Sequence, residues 1–270
     1  KEAEAAEQLA QRVIRQCQMA LGQSSESSVR THATGYSLDY LNLDSRYSID
    51  RIITALQQKP VSSLCFYGLP GTGKTALAEH IATTLGRPLI ARRASDLISK
   101  WLGESEKNLA AMFAEARAEQ AVLLLDEADT YLRNRERAER SWEVSQVNEL
   151  LQQMERFDGI FICATNLFEQ IDAAALRRFA FKIAFKALRP EQRIKLFVQE
   201  ALDGDENELN ATLRNRLLQL DNLAPGDFAV VKRQAGLLGE TLAPSDFLAE
   251  LENESRLKPG ANKQAMGFLH

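Results

Sequence analysis

Between positions 61 and 189, short apolar runs alternate with longer stretches in which apolar residues recur every three or four positions. The runs predict buried strands and the longer stretches predict helices. The predicted strands lie at 62–67, 88–92, 121–125, 160–164 and 181–185. The predicted helices lie at 74–85, 105–119, 142–156 and 168–176. This alternation is typical of an α/β fold in which helices cover both faces of a parallel sheet.

The pattern is different on either side of this region. After Pro190 only helical runs follow, near 190–202, 206–220, 227–238 and 244–256. Before it, a thin apolar stripe predicts a helix over 2–21, and a further helix is expected over 49–58. We expect three parts: an N-terminal helix and linker over 1–45, an α/β domain over 46–188, and a small all-helical domain with a C-terminal tail over 189–270. The first residue is Lys1 rather than Met, so the N-terminal part is expected to be the remnant of a missing domain.

Composition narrows the class of protein. The 270 residues include 33 basic and 37 acidic side chains, a net charge of -4, so nucleic acid is not the expected partner. No apolar run is long enough to span a membrane and the N-terminus is charged, which predicts a cytoplasmic protein without a membrane segment. The three cysteines form no C-x-x-C pair. Cys65 and Cys163 lie in strand-like runs and are expected to be buried thiols in a reducing compartment.

Residues 68–75 read Gly-Leu-Pro-Gly-Thr-Gly-Lys-Thr, a complete G-x-x-x-x-G-K-[ST] phosphate loop between a predicted strand and a predicted helix. Backbone N–H groups of such a loop wrap a polyphosphate, Lys74 reaches the β- and γ-phosphates, and the Thr75 hydroxyl ligates Mg²⁺. ATP and Mg²⁺ are therefore the expected cofactors. The residues expected to bind them are Gly68, Pro70, Gly71, Thr72, Gly73, Lys74, Thr75 and Asp126, with Thr75 and Asp126 on the metal.

Polar residues also follow the third and fourth predicted strands. Asp126 and Glu127 end the third, at the sheet edge where α/β proteins bind ligands. Asp126 is suited to Mg²⁺, and Glu127 to the water that attacks the γ-phosphorus. A DEAD-box helicase is rejected because it needs a second α/β domain, and a solvated acidic turn is disfavoured by the apolar strand before it. Asn166 follows the fourth strand, where it can contact the γ-phosphate, although alone it is a common turn residue.

With these ordered motifs the chain resembles the AAA+ ATPases over about residues 60–240, and among them the katanin and spastin type of protein-remodelling AAA proteins. The resemblance makes 68–75 the Walker A motif, Asp126 and Glu127 the Walker B pair, and Asn166 the sensor 1 residue. It implies a nucleotide-binding α/β domain with a helical lid and a ring-shaped homo-oligomer, usually a hexamer. It also implies ATP hydrolysis coupled to remodelling or threading of a protein substrate through a central pore.

Two further segments acquire a role by this resemblance. Residues 171–179 are similar to the arginine-finger segment, with Arg178 favoured and Arg177 its competitor, although two arginines that end a helix also favour its dipole. Residues 99–106 are similar to the first pore loop. The residues expected to act in hydrolysis are Glu127, Asn166, Arg178 and Arg177, and those of the pore loop are Lys100, Trp101, Leu102 and Gly103.

Some of these segments also fit a purely structural role, and two of them differ from the usual AAA+ motifs. A loop tryptophan is more often partly buried in a core, and the charged segment 133–140 is either a second pore loop or a solvated loop. Residues 224–227, Ala-Pro-Gly-Asp, replace the sensor 2 arginine of many AAA+ proteins, and residues 43–47 lack the usual Gly-Gly near the adenine. Two other functions fit the motifs: a DNA-associated AAA+ protein such as a helicase loader, and an ATP-controlled scaffold with slow turnover.

Overall fold

A mixed sheet lies at the centre of this computed structural model, which describes residues 37–99, 101, 103–132, 141–167 and 171–258, with the side chains of 130 and 141–144 left out of the description. The predicted helix at 2–21, the charged segment 133–140, Lys100 and Leu102 lie outside the described residues. The strands are β1 (Asn42–Asp44), β2 (Ser62–Gly68), β3 (Leu89–Arg93), β4 (Val122–Asp126), β5 (Ile160–Thr165) and β6 (Phe181–Lys186).

The strand order is β1-β6-β2-β5-β4-β3, and every pairing from β6 to β3 is parallel. This confirms the predicted α/β fold and all five predicted strands. One edge differs from the expected parallel sheet, because β1 pairs antiparallel with β6 through Asn42↔Lys186 and Asp44↔Ala184. A strand of three residues is too short to leave a periodic pattern in the sequence, so its existence depends on the edge it joins.

The helices of the described residues agree with most of the predicted ones. They are α1 (Ile49–Gln58), α2 (Lys74–Thr84), α3 (Ala94–Leu97), α4 (Glu104–Ala118), α5 (Asp129–Leu132), α6 (Ser141–Arg156), α7 (Ala173–Arg178), α8 (Pro190–Ala201), α9 (Ala211–Leu218), α10 (Pro225–Leu238) and α11 (Pro244–Leu257), with 3₁₀ turns at Leu38–Tyr40 and Glu206–Glu208.

Two predicted helices were placed wrongly, and a cap explains each. The helix expected over 168–176 starts at Ala173 instead, because the Asp172 carboxylate accepts hydrogen bonds from the N–H groups of Ala174 (2.8 Å) and Ala175 (3.1 Å). The helix expected over 206–220 begins only at Ala211, where the side chain of Asn210 accepts from the N–H of Leu213 at 2.9 Å.

Both faces of the sheet are buried, which explains why its central strands read as continuous apolar runs. On one face Phe161 packs against Phe113 of α4 with ring centroids 5.1 Å apart, in a cluster that includes residues of α6. On the other face Phe66 lies in a cluster with residues of α1 and α2. Cys65 and Cys163 are both fully buried free thiols, as expected.

A third apolar cluster is built mostly from α8, α9, α10 and α11, and includes Phe197, Phe228 and Phe247. A backbone hydrogen bond of 2.8 Å from Leu188 N to Leu223 O links this helical part to the chain that leaves β6. The helical part therefore has its own core and is hydrogen-bonded to the chain just after β6.

Candidate functional site

The loop between β2 and α2 has a backbone that only glycine can form without strain. Gly68 has a φ of 138°, and a Cβ there would overlap the carbonyl oxygen of Phe185. Gly73 caps the start of α2 with a φ of 95°, and a Cβ there would lie 2.6 Å from a methyl group of Leu41. The tight turn delivers the chain directly into the N-terminus of α2, where free N–H groups and the helix dipole attract a phosphate.

Lys74 lies across this loop rather than in solvent. Its side chain is buried, and its Nζ donates to the carbonyl oxygens of Gly68 and Leu69 and to Oδ1 of Asn166, each at 2.8 Å. Burial lowers the pKa of the Lys74 ammonium to about 8, while the carboxylates of Asp126 and Asp129 act in the opposite direction. The ammonium is thus fixed between the loop and the end of β5.

A hydroxyl and a carboxylate meet beside the lysine. Thr75, in the first turn of α2, donates through Oγ1 to Oδ2 of Asp126 at the end of β4, at 2.8 Å. Mg²⁺ takes oxygen ligands, uses few protein groups and keeps several waters, so this pair fits the metal that the sequence implies. Within the described residues, no group of three or more His, Cys, Asp or Glu side chains is placed to hold a metal ion.

Glu127 has an unusual backbone. Its φ is 52°, in the left-handed region that costs a residue with a side chain about 1–3 kcal/mol, and its N–H donates to Oδ1 of Asp126 at 2.8 Å. The side chain is exposed at the carboxyl edge of the sheet, next to the Thr75 and Asp126 pair. Strain of this kind is concentrated at functional sites, where a side chain must be aimed in one direction.

Asn166 joins the same group from β5. Besides the contact with Lys74, its N–H donates to Oδ1 of Asp129 at 3.1 Å. Asp129 was not among the site residues expected from the sequence. An acidic residue just past the end of β4 was the available signal, because β4 and β5 are parallel neighbours and their carboxyl ends lie side by side.

The helical part touches the phosphate loop through a backbone contact. Gly226 N donates to the carbonyl oxygen of Gly71 at 2.8 Å, and a Cβ on Gly226 would lie 2.7 Å from the Cα of Gly71. Asp227 accepts from the N–H of Ala224 at 2.6 Å and also binds the Lys258 ammonium. Where many AAA+ proteins have a sensor 2 arginine, this chain has a glycine against the phosphate loop, and the Asp227 carboxylate caps the start of α10.

Arg177 and Arg178, the two candidate arginine fingers, lie near the start of β2, at the opposite end of the strands from the phosphate loop. Ser63, near the start of β2, donates through Oγ to the carbonyl oxygen of Arg178 at 2.7 Å. Gly68 ends the same strand five residues later, and at 3.3 Å per residue this separates Arg178 from the phosphate loop by roughly 16 Å. The Arg178 Nε pairs with Glu155 at 2.6 Å, and Arg177 is exposed. The structure therefore does not bring either arginine to the loop of its own chain.

Trp101 is not part of the core. Its residue is 76% exposed, so a partly buried core tryptophan is the wrong interpretation. Its N–H donates to Oγ of Ser99 at 3.2 Å and its carbonyl accepts from Glu104 N at 3.3 Å, while Ser99 N donates to Oγ of Ser105 at 2.9 Å. Gly103, with a φ of 78°, caps α4. The short loop before α4 is thus held by its own hydrogen bonds and exposes the Trp101 indole to solvent.

Comparison with known proteins agrees with this geometry. Residues 64–187 match the model of the ATPase family associated with various cellular activities (AAA). Spastins of Drosophila erecta and Drosophila melanogaster are 30% identical over 187 residues, and that of Drosophila willistoni is 29% identical. Each alignment covers 66% of this chain and 24% of the spastin, so the chain spans about a quarter of the length of these relatives.

A solved structure shares the fold. A chain of the Escherichia coli MS115-1 HORMA:CdnC:Trip13 complex superposes with a TM-score of 0.60 at 18% identity, over 82% of this chain and 97% of that one. The described helices include none that is long and apolar enough to cross a membrane.

Proposed function

Because this chain belongs to the AAA family of ATPases through residues 64–187, we propose that it binds ATP with Mg²⁺ at the 68–75 loop and couples hydrolysis to the remodelling of a protein substrate. One observation carries the proposal. The start of α2 meets the ends of β4 and β5 beside one phosphate loop. There the Lys74 ammonium bonds to the Asn166 amide oxygen, and the Thr75 hydroxyl bonds to the Asp126 carboxylate.

The proposed roles follow from what each side chain can do. Lys74 balances the negative charge of the β- and γ-phosphates, and Asn166 offers an amide N–H to the γ-phosphate or to the attacking water. Thr75 and Asp126 would hold Mg²⁺, which when bound withdraws charge from the phosphate oxygens. Glu127 orients the water and accepts its proton in the step that breaks the bond to the γ-phosphorus.

We propose that the arginine reaches the site of a neighbouring copy. Arg178 and the phosphate loop lie at opposite ends of β2, so Arg178 can serve a γ-phosphate only when that phosphate is bound by another chain. This supports a ring-shaped homo-oligomer, with a hexamer as the proposed size. Arg178 remains the favoured finger and would leave its ion pair with Glu155 when it engages. Arg177, which like Arg178 is exposed, is its competitor.

The hydrogen-bonded loop that carries Trp101, before α4, is the proposed contact with the protein substrate. An exposed indole packs against an extended polypeptide with little demand for sequence, which suits a loop in a central pore. The helical cluster of α8 to α11 serves as the lid, with proposed limits of 189–270. The α/β domain expected over 46–188 extends back to include β1, Asn42–Asp44, which pairs with β6. The two buried free thiols support the cytoplasm as the proposed compartment.

Steady-state ATPase assays test the first half of the proposal. Glu127→Gln should lose turnover by about a hundredfold or more while ATP still binds, because only the group that acts on water is changed. If the wild-type protein binds ATP but shows no Mg²⁺-dependent turnover, the chain is an ATP-binding scaffold instead. An unchanged rate in Glu127→Gln would show that the wrong carboxylate has been chosen.

A substrate assay tests the second half. Trp101→Ala should keep ATP hydrolysis within about twofold and lose unfolding or threading of a protein substrate, whereas Trp101→Phe should keep part of it. Equal loss of ATP binding in Trp101→Ala would make the residue structural. Turnover stimulated by DNA in a salt-dependent manner, with no effect of protein substrates, would favour a DNA-associated function over remodelling.

A further inference from the structure

One carboxylate just outside the proposed machinery collects three hydrogen bonds from consecutive residues. Asp129, the first residue of α5, accepts from the hydroxyl of Thr165, from the N–H of Asn166 at 3.1 Å and from the N–H of Leu167 at 3.3 Å. A second link ties the same turns together, because Ala128 N donates to the carbonyl oxygen at position 164 at 2.9 Å. The turn after β4 is thus fastened to the end of β5.

Asp129 accepts both N–H groups that follow β5, and the N–H of Leu167 is shared with Oγ1 of Thr165 at 3.1 Å. The strand stops at Thr165, so the N–H groups of Asn166 and Leu167 have left the sheet and can no longer bond to a neighbouring strand. Bonds from these groups to a charged carboxylate are stronger than neutral ones and hold the backbone where it turns. The Asn166 side chain leaves this fixed backbone and places Oδ1 2.8 Å from the Lys74 ammonium.

We infer that Asp129 is a positioning residue for Asn166: by fixing the backbone at the end of β5 it keeps the Asn166 amide directed at Lys74 and at the γ-phosphate that Lys74 would hold. The inference rests on the proposed ATP hydrolysis and deepens it. Asp129 acts through Asn166. A shift of about 1 Å in a polar group at a reacting centre can cost a hundredfold in rate, so the fastening has a kinetic consequence.

A double-mutant cycle with the full chain tests this. Asp129→Ala should lower kcat by about 10- to 100-fold and change the KM for ATP by less than about threefold. Asp129→Asn keeps an acceptor oxygen and should lose less than about fivefold. Because Asp129 acts through Asn166, the double variant with Asn166→Ala should be as slow as Asn166→Ala alone, to within about twofold. Asp205→Ala, which removes a carboxylate from a lid turn where it accepts from Asn207 N at 2.9 Å, is the control and should leave kcat unchanged.

The outcomes are distinct. A residue with only a structural role would lower the melting temperature and give losses in kcat that multiply in the double variant, and that result overturns the inference. So does an unchanged kcat in Asp129→Ala while Glu127→Gln is inactive, since hydrolysis then stands without the positioning. If Asn166→Ala keeps the wild-type rate, its proposed role fails first and the inference fails with it. Should Asp129→Ala not fold, the cycle is run with Asp129→Asn.

Discussion

Replacing Gly226 by alanine should separate the lid from the phosphate loop. The new Cβ would lie 2.7 Å from the Cα and 2.9 Å from the carbonyl oxygen of Gly71, and the nearest of these distances must widen to about 3.4 Å for ordinary contact. Both neighbours are backbone atoms, so no side chain can turn away to make room. The start of α10 must therefore move as a unit.

The expected cost can be worked from the two effects. Overpacking of a close contact costs about 1–3 kcal/mol, and stretching the 2.8 Å hydrogen bond from Gly226 N to Gly71 O removes about 1 kcal/mol more. The sum is roughly 2–4 kcal/mol, and every 1.4 kcal/mol of it that acts on nucleotide binding weakens the affinity about tenfold. We expect at least a tenfold rise in the Kd for ATP.

Isothermal titration with ATP, in a Glu127→Gln background that prevents hydrolysis, measures this. Gly236→Ala is a matched control in the same helix, since nothing lies within 4 Å of a Cβ at that position. Its higher helix propensity should stabilise the protein by about 0.5–1 kcal/mol without changing the Kd. Gly226→Ala with the wild-type Kd and the wild-type melting temperature would refute the proposed coupling between lid and loop.

Two further predictions concern buried groups. Burial raises the pKa of Cys65 to about 12 and that of Cys163 well above its usual value. In a Cys17→Ser background, neither thiol should therefore react with Ellman's reagent within minutes at pH 8, and both should react after denaturation. Rapid labelling of the native protein would contradict the burial of the two thiols. Lys258→Met removes the ammonium from the mostly buried Asp227 carboxylate and should lower the free energy of unfolding by about 1–3 kcal/mol in urea titrations, an effect that an unchanged midpoint would exclude.

Local sequence determined much of this fold and of the site. β4 and β5 are recognisable because a strand buried on both faces must be apolar throughout, and the phosphate loop because its glycine spacing and Lys74 are a chemical requirement that tolerates few substitutes. Asp126, Glu127 and Asn166 could be selected because each follows such a strand, at the edge where parallel strands end together. These features depend on residues close in the chain.

Tertiary structure alone decided the rest, since it depends on groups distant in sequence. β1 forms because β6 offers an unpaired edge to which it can hydrogen-bond. Arg178 lies far from the phosphate loop because it contacts the start of β2, whereas the loop follows the end of that strand. Likewise, no periodicity announces that Asp129 holds the end of β5 or that Gly226 meets Gly71. Hydrogen bonds and close contacts across 37 or 155 positions leave no local pattern, because the chain must first fold to bring their partners together.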